Sequence, residues 1–267
     1  MILASASWTA LILSLAAAGA YAVPALAASS LRSPRKRGLL VIAWLLHGLL
    51  LVLGLLNEPA RFGFAPALSV TVWLVAAVYA VETRVYPQLE VHWALSALGA
   101  AAIVMALFFP GQVLHPSASA WLPLHWALGI ASYGLFAAAA LHAWLMNRTE
   151  DRIRHATQAH IGLPLLTLER LTFRFVAAGF VLLTATLLLA MVFRDSLYGS
   201  GATWKWDHKT IFSILSWLTF ATLLIGRARF GWRGRQAARL LYIGSGLLLL
   251  AYVGSRFVIE VILSRNA

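Results

Sequence analysis

Cysteine is absent from the 267 residues. That excludes disulfides, thiolate metal ligation, thiol redox chemistry and thioether attachment of a prosthetic group by this chain. Charge is scarce: Lys and Arg number 21, Asp and Glu nine, and together they make 11% of the chain. A soluble domain carries about 25% charged residues and about 45–50% apolar ones. Here the apolar share is 61% and the mean hydropathy +0.81. So few polar side chains cannot clothe a soluble fold of this size, and a disordered chain would be far less apolar. Nine acidic residues, mostly between apolar runs, leave little for hydrolytic acid–base catalysis. Phosphate loops, dinucleotide fingerprints, His-Glu-x-x-His helices and paired carboxylates are missing too. The net charge of +12 would point to nucleic acid in a soluble chain. In a membrane chain it reports orientation, and the partner to expect is the lipid bilayer, not nucleic acid.

What the sequence has is long uncharged runs. Residues 1–31, 38–57, 62–81, 91–147, 175–193, 210–226 and 240–255 contain no Asp, Glu, Lys or Arg. A helix needs about 20 mostly apolar residues to cross ~30 Å of hydrocarbon. The run 91–147 is too long for one crossing and is interrupted by Pro110-Gly111, Pro116 and Pro123, so it reads as two helices and a loop. The expected fold is an all-α polytopic membrane protein, 1–267 forming one membrane domain. Its eight transmembrane helices fall near 3–27, 38–57, 66–82, 91–109, 125–147, 174–193, 209–226 and 238–261. Ala25-Leu26-Ala27 resembles a signal-peptidase site, but the first 31 residues lack the basic start of a secretory signal, so the first segment reads as a membrane helix.

Basic residues separate by side. The alternate connections 28–37, 83–90, 148–174 and 227–239 hold four, one, five and five, which is 15 of the 21. The opposite side holds six: Arg61, Arg194, Lys205, Lys209, Arg256 and Arg265. The excess of Lys and Arg on the cytoplasmic side places both termini outside, with the loops 58–65, 110–124 and 194–208. In a bacterial cell that is an inner-membrane protein with periplasmic termini. The apolar second half of 148–174 is expected to lie in the membrane interface before helix six.

Ionisable groups within apolar helices are candidate functional residues. His125, Gly129, Ser132 and Tyr133 fall at i, i+4, i+7 and i+8, a narrow polar stripe on helix five. His125 is equally readable as an interfacial residue beside Trp121 and Trp126. His47 lies about ten residues into helix two, near mid-membrane; an interhelical hydrogen bond is its first reading and ligation the second. His92 and His142 read as interfacial or packing residues, His155 and His160 as solvated, and His115 as a loop residue. The most distinctive segment is Gly201-Ala-Thr-Trp-Lys-Trp-Asp-His-Lys-Thr210. Asp207 suits the N-cap of the helix that follows. Trp204 and Trp206 set two flat apolar side chains beside Lys205, Lys209 and Arg194, a combination that suits a planar apolar ligand bearing carboxylates. Arg256 and Glu260, four apart, are expected to pair.

This segment resembles the tryptophan-rich outer motif of the cytochrome c assembly proteins, membrane haem-handling proteins of cytochrome c maturation. The family pattern runs roughly Trp-Gly-x-x-Trp-x-Trp-Asp-x-Lys-Glu, then a helix with a further Trp and a terminal Arg. Gly201, Trp204, Trp206, Asp207 and Lys209 match in register, and Trp217, Arg227 and Gly231-Trp-Arg-Gly234 follow. His125 with Ser132-Tyr133 resembles the family's His-x6-Ser-Tyr helix, whose histidine is an outward-facing haem ligand. The resemblance covers about 120–262 and is weaker in helices one to four. Ser200 replaces the leading Trp, His208 the usual Pro and Thr210 the Glu, and no histidine follows 208.

The resemblance implies haem as cofactor, held without covalent attachment. His125 is the implied iron ligand, with His208, His115 or an open position opposite it; His47 aligns with no family histidine. The implied site is His125, Trp204, Trp206, Asp207, His208 and Lys209, with His47 a further candidate. The implied function is binding and presentation of haem at the outer face for cytochrome c assembly, without enzymatic turnover. Other cytochrome c maturation components are the implied partners. The alternative is an accessory or regulatory membrane protein that keeps the scaffold without haem transfer. A b-type electron-transfer subunit would need histidine pairs on facing helices, and a transporter would need broken mid-membrane helices; neither pattern is present.

Overall fold

A computed structural model describes residues 8–26, 33–56, 61–85, 92–113, 121–154, 165–193 and 207–263. The protein is all-α. In order come α1 (Trp8–Leu26), α2 (Ser33–Leu56), the two-residue strand β1 (Arg61–Phe62), α3 (Phe64–Val85), α4 (His92–Phe108) and the two-residue strand β2 (Gln112–Val113). Then come α5 (Trp121–Arg154), α6 (Leu165–Val192), α7 (His208–Phe230) and α8 (Gly234–Leu249). The last helix continues through a π turn (Leu250–Gly254), an α turn (Ser255–Phe257) and a second π segment (Val258–Leu263). Seven of these helices are long and apolar enough to cross a membrane; α4, with 17 residues, is apolar but shorter.

Two boundaries differ most from the hydropathy reading. α5 runs on through Arg148, Glu150 and Asp151 to Arg154, and α6 begins at Leu165, so Leu165–Arg174 is helix continuous with α6. Hydropathy marks where a chain leaves hydrocarbon, whereas a helix ends only where backbone hydrogen bonding ends. Pro123 sits in the first turn of α5, where its missing N–H costs nothing. Local chemistry fixes α7 at both ends. Asp207 caps its start, and Gly231 ends it at φ 66°, with the Trp232 N–H donating to the Gly226 carbonyl at 3.3 Å.

The chain groups into two compact units, Met1–His115 with Arg256–Ala267, and Pro116–Ser255. In the first, α1 packs on α2 and α4, and α3 packs on α4. β1 and β2 pair antiparallel, Arg61 with Val113 and Phe62 with Gln112, which brings the start of α3 and the end of α4 to one level. Phe64 and Phe109 meet there at 5.3 Å. Gly111 permits the pairing: its φ is +82° and a Cβ would stand 2.5 Å from the Phe62 backbone. In the second unit, α5 packs along α6 and α8, and α7 along α6 and α8. Its core is a stack. Phe136 and Phe220 lie parallel with centroids 3.7 Å apart. Gly179 lies against Phe136, and Gly244 against Phe220. Exposed apolar side chains such as Leu45, Leu49, Val181 and Leu188 form the lipid-facing surface.

Candidate functional site

The residues expected to form a site near the start of α5 lie where α5 meets α6. His125 is half-buried one turn into α5, beside the backbone of Thr186 on α6. Its Nδ1 is buried and has no hydrogen-bond partner among the described residues. A buried imidazole nitrogen left without a partner can accept a ligand or a metal. Gly129, one turn on, faces the same residue: a Cβ there would meet Thr186 Cγ2 at 3.8 Å. At the mouth, Trp121 stacks on Phe193 at 4.1 Å.

The rest of the polar stripe is structural. The Ser132 hydroxyl donates to the Gly129 carbonyl of its own helix at 2.7 Å. Tyr133 donates to the Leu248 carbonyl, next to the π turn of the last helix. Periodicity places these residues on one face, but Thr186, Phe193 and Leu248 come from other helices and carry no local signal.

On α7, Asp207 accepts from the Thr210 backbone N–H and from the Thr210 hydroxyl, each at 2.9 Å. Partial burial pushes its carboxyl up. The two Thr210 bonds, with Lys209 and His208 nearby, outweigh that and hold it below the ordinary value. Thr210, where the family pattern has Glu, thus completes the cap. His208 is exposed and Lys209 half-buried. Deeper in α7, the Trp217 indole donates to Thr184 Oγ1 at 2.9 Å and stacks on Phe180 at 5.4 Å. α6 therefore offers Thr186 toward α5 and Thr184 toward α7. Trp204, Trp206, Lys205, Arg194, His115, His155 and His160 lie outside the described residues.

His47 belongs to the first unit and is 1% exposed. Its Nε2 lies 2.7 Å from Ser69 Oγ on α3, and its Nδ1 3.4 Å from the Tyr21 hydroxyl on α1. Beside it Trp44 and Trp73 stack at 4.8 Å and each indole donates to the other's carbonyl, at 3.1 and 3.0 Å. The interhelical hydrogen bond expected of His47 is present, and both ring nitrogens are used. His142 lies buried with Nδ1 2.7 Å from the Ala138 carbonyl, a packing residue. Arg256 donates to Gln112 Oε1 at 3.2 Å; the side chain of Glu260, its expected partner, is outside the described set. No cluster of three or more His, Asp or Glu with metal-holding geometry occurs among the described residues.

Hydropathy also missed an ion pair at the opposite end of the second unit. Glu169, early in α6, pairs with Arg227 at the end of α7 and stands 3.8 Å from Arg233. Arg227 also covers the Phe173 ring at 4.6 Å and donates to the Trp232 carbonyl at 3.3 Å.

Comparison with known proteins gives three kinds of match. Residues 33–263 match the family described as Cytochrome C assembly protein. A protein of Azospirillum brasilense, titled an uncharacterized 28.8 kDa protein in a nifR3-like 5' region, is 36% identical over 146 residues, covering 54% of this chain and 53% of that one. Inner membrane protein YpjD of Escherichia coli is 28% identical over 197 residues, covering 73% and 72%. The cytochrome c biogenesis protein CcsA of Synechococcus elongatus is 35% identical over 88 residues, covering 33% and 26%. The chain thus spans about half the length of the Azospirillum relative and about a quarter of CcsA. No solved structure matches it.

Proposed function

The chain belongs to the cytochrome c assembly protein family, and from that premise we propose that it is a haem-handling membrane protein that presents haem at the outer face during cytochrome c maturation. The observation that carries this reading is the buried, unpartnered Nδ1 of His125. A buried polar atom without a partner is costly and calls for an occupant. Haem supplies an iron that takes a neutral imidazole nitrogen as axial ligand and a flat apolar ring that suits aromatic walls. His125 would hold the iron. Trp204 and Trp206 would face the macrocycle, and Lys205 and Lys209 would meet the propionates. Asp207 anchors this motif by capping α7. His208, His115 or an open position would stand opposite His125. His47, with both nitrogens engaged, supports the helix bundle in this reading. The role is binding and presentation, without turnover.

The edited motif, with Ser200 for Trp and no histidine after 208, favours a second reading: an accessory membrane protein that keeps the scaffold without transferring haem. A pyridine haemochrome assay on the purified wild type beside His125→Ala and His47→Ala separates the two. The first reading expects a haem band in the wild type that is lost or shifted in His125→Ala and kept in folded His47→Ala. Haem-free protein from haem-replete cells would sink it.

A further inference from the structure

We propose that the second unit binds an anionic phospholipid headgroup where α6 begins, through Arg170 and Arg174. The site is independent of the haem reading. α6 has 28 residues, about 42 Å at 1.5 Å per residue, against ~30 Å of hydrocarbon. Counting about 20 residues back from Val192 reaches the level of Arg170 and Arg174, where phosphates lie.

The two arginines look outward. Leu166, Arg170 and Arg174 fall at i, i+4 and i+8 and share one stripe. Leu166 is 71% exposed, and both arginines are exposed. The opposite stripe, Glu169, Thr172 and Val176, is buried against neighbouring helices. Further along, the outward side continues through exposed Ala177, Ala178 and Val181, the surface that lipid chains cover. Two cations thus stand at the foot of a lipid-facing apolar stripe.

Nearby acid does not cancel them. Glu169, one residue from Arg170, is paired with Arg227. Arg233 lies 3.8 Å from the same carboxylate, yet its side chain is 65% exposed. Phe230, at the end of α7, is 74% exposed. Apolar side chains as open as Leu166 and Phe230 beside guanidinium groups suit the boundary between acyl chains and phosphates. An aqueous acidic protein segment would leave both in water.

The test is native mass spectrometry of the full chain titrated with phosphatidylglycerol or phosphatidylcholine. The wild type is expected to hold phosphatidylglycerol at least fivefold more tightly, roughly the effect of one surface cation. Arg170→Gln with Arg174→Gln should abolish that preference, and Arg170→Lys with Arg174→Lys should keep it. Arg35→Gln with Arg37→Gln removes the same charge from α2 and should change nothing. Equal loss in both Gln pairs would reduce the effect to bulk charge and overturn the proposal. So would a wild type without preference, or one that binds a poly-glutamate peptide and neither lipid.

Discussion

Single residues here act through what they are bonded to, and the bonds separate candidates that look alike in sequence. His125 and His47 are both histidines in apolar helices. Of the two, only His125 keeps a buried nitrogen without a partner, whereas Ser69 and Tyr21 take both nitrogens of His47. Replacing His47 by Phe strands those two hydroxyls, and the expected loss is about 1–2 kcal/mol, with a His47–Ser69 coupling near ~0.6 kcal/mol in a double-mutant cycle. Unfolding by SDS titration measures both; a neutral His47→Phe would refute the network. Asp207 gives a pH-dependent case. Its folded carboxyl titrates below the ordinary 3.8. The cap's contribution is therefore complete above that value and is lost as pH falls through the folded pKa. Asp207→Ala should cost about 1 kcal/mol at pH 7. Asp207→Asn should keep most of that stability and flatten the acid limb. Melting curves at pH 7 and pH 3 decide; equal melting of wild type and Asp207→Ala at pH 7 would remove the cap from the account. The capping role of Asp207 was legible in sequence because a cap is local; the neighbours of His125 and the partners of His47 were not, because they come from other helices.

At the scale of elements, packing decides which glycines matter. Gly244 and Gly246 are neighbours on α8 and look equivalent in sequence. A Cβ on Gly244 would stand 2.9 Å from the Phe220 ring, while one on Gly246 meets nothing within 4 Å. Phe220 cannot retreat, since it is fully buried with Phe136 stacked behind it at 3.7 Å. Gly244→Ala should therefore destabilise by about 1–3 kcal/mol through overpacking. Gly246→Ala should gain up to about 1 kcal/mol from helix propensity. The two substitutions thus have opposite signs in the same unfolding assay, and like signs would dismiss the stack as a constraint. The same distinction explains the misplaced boundaries. Helix positions were legible from uncharged runs because hydrocarbon excludes charge. The ends at Arg154 and Leu165 were not, because the charged extension of α5 and the first turns of α6 keep their helical hydrogen bonds outside hydrocarbon. The β1–β2 pair was equally silent: two residues a side carry no periodicity, and only Gly111, with its left-handed φ, marks the turn.

For the whole molecule, the number of crossings turns on α4. With 17 residues it spans about 26 Å, a little short of ~30 Å of hydrocarbon. Two observations argue that it crosses all the same. β1, just before α3, pairs with β2, just after α4, so α4 returns to the level from which α3 departs. Phe64 at the start of α3 also meets Phe109 just past the end of α4. A helix that returns to the level from which α3 departs is expected to cross the layer α3 crosses, since a bilayer thins or flanking residues snorkel to accommodate a few missing ångströms. Eight crossings put the start of α1 and the end of α8 on one side; seven would put them on opposite sides. With eight crossings, 15 of 21 Lys and Arg fall in the alternate connections, and the expectation is that both termini lie outside. Paired reporter fusions before α1 and after α8 are therefore expected to show alkaline phosphatase activity and no cytoplasmic fluorescence at both ends. Activity at one end only would mean that α4 does not cross. Fluorescence at both ends would invert the chain and move His125, Asp207 and Lys209 to the cytoplasmic face, away from where periplasmic haem presentation needs them.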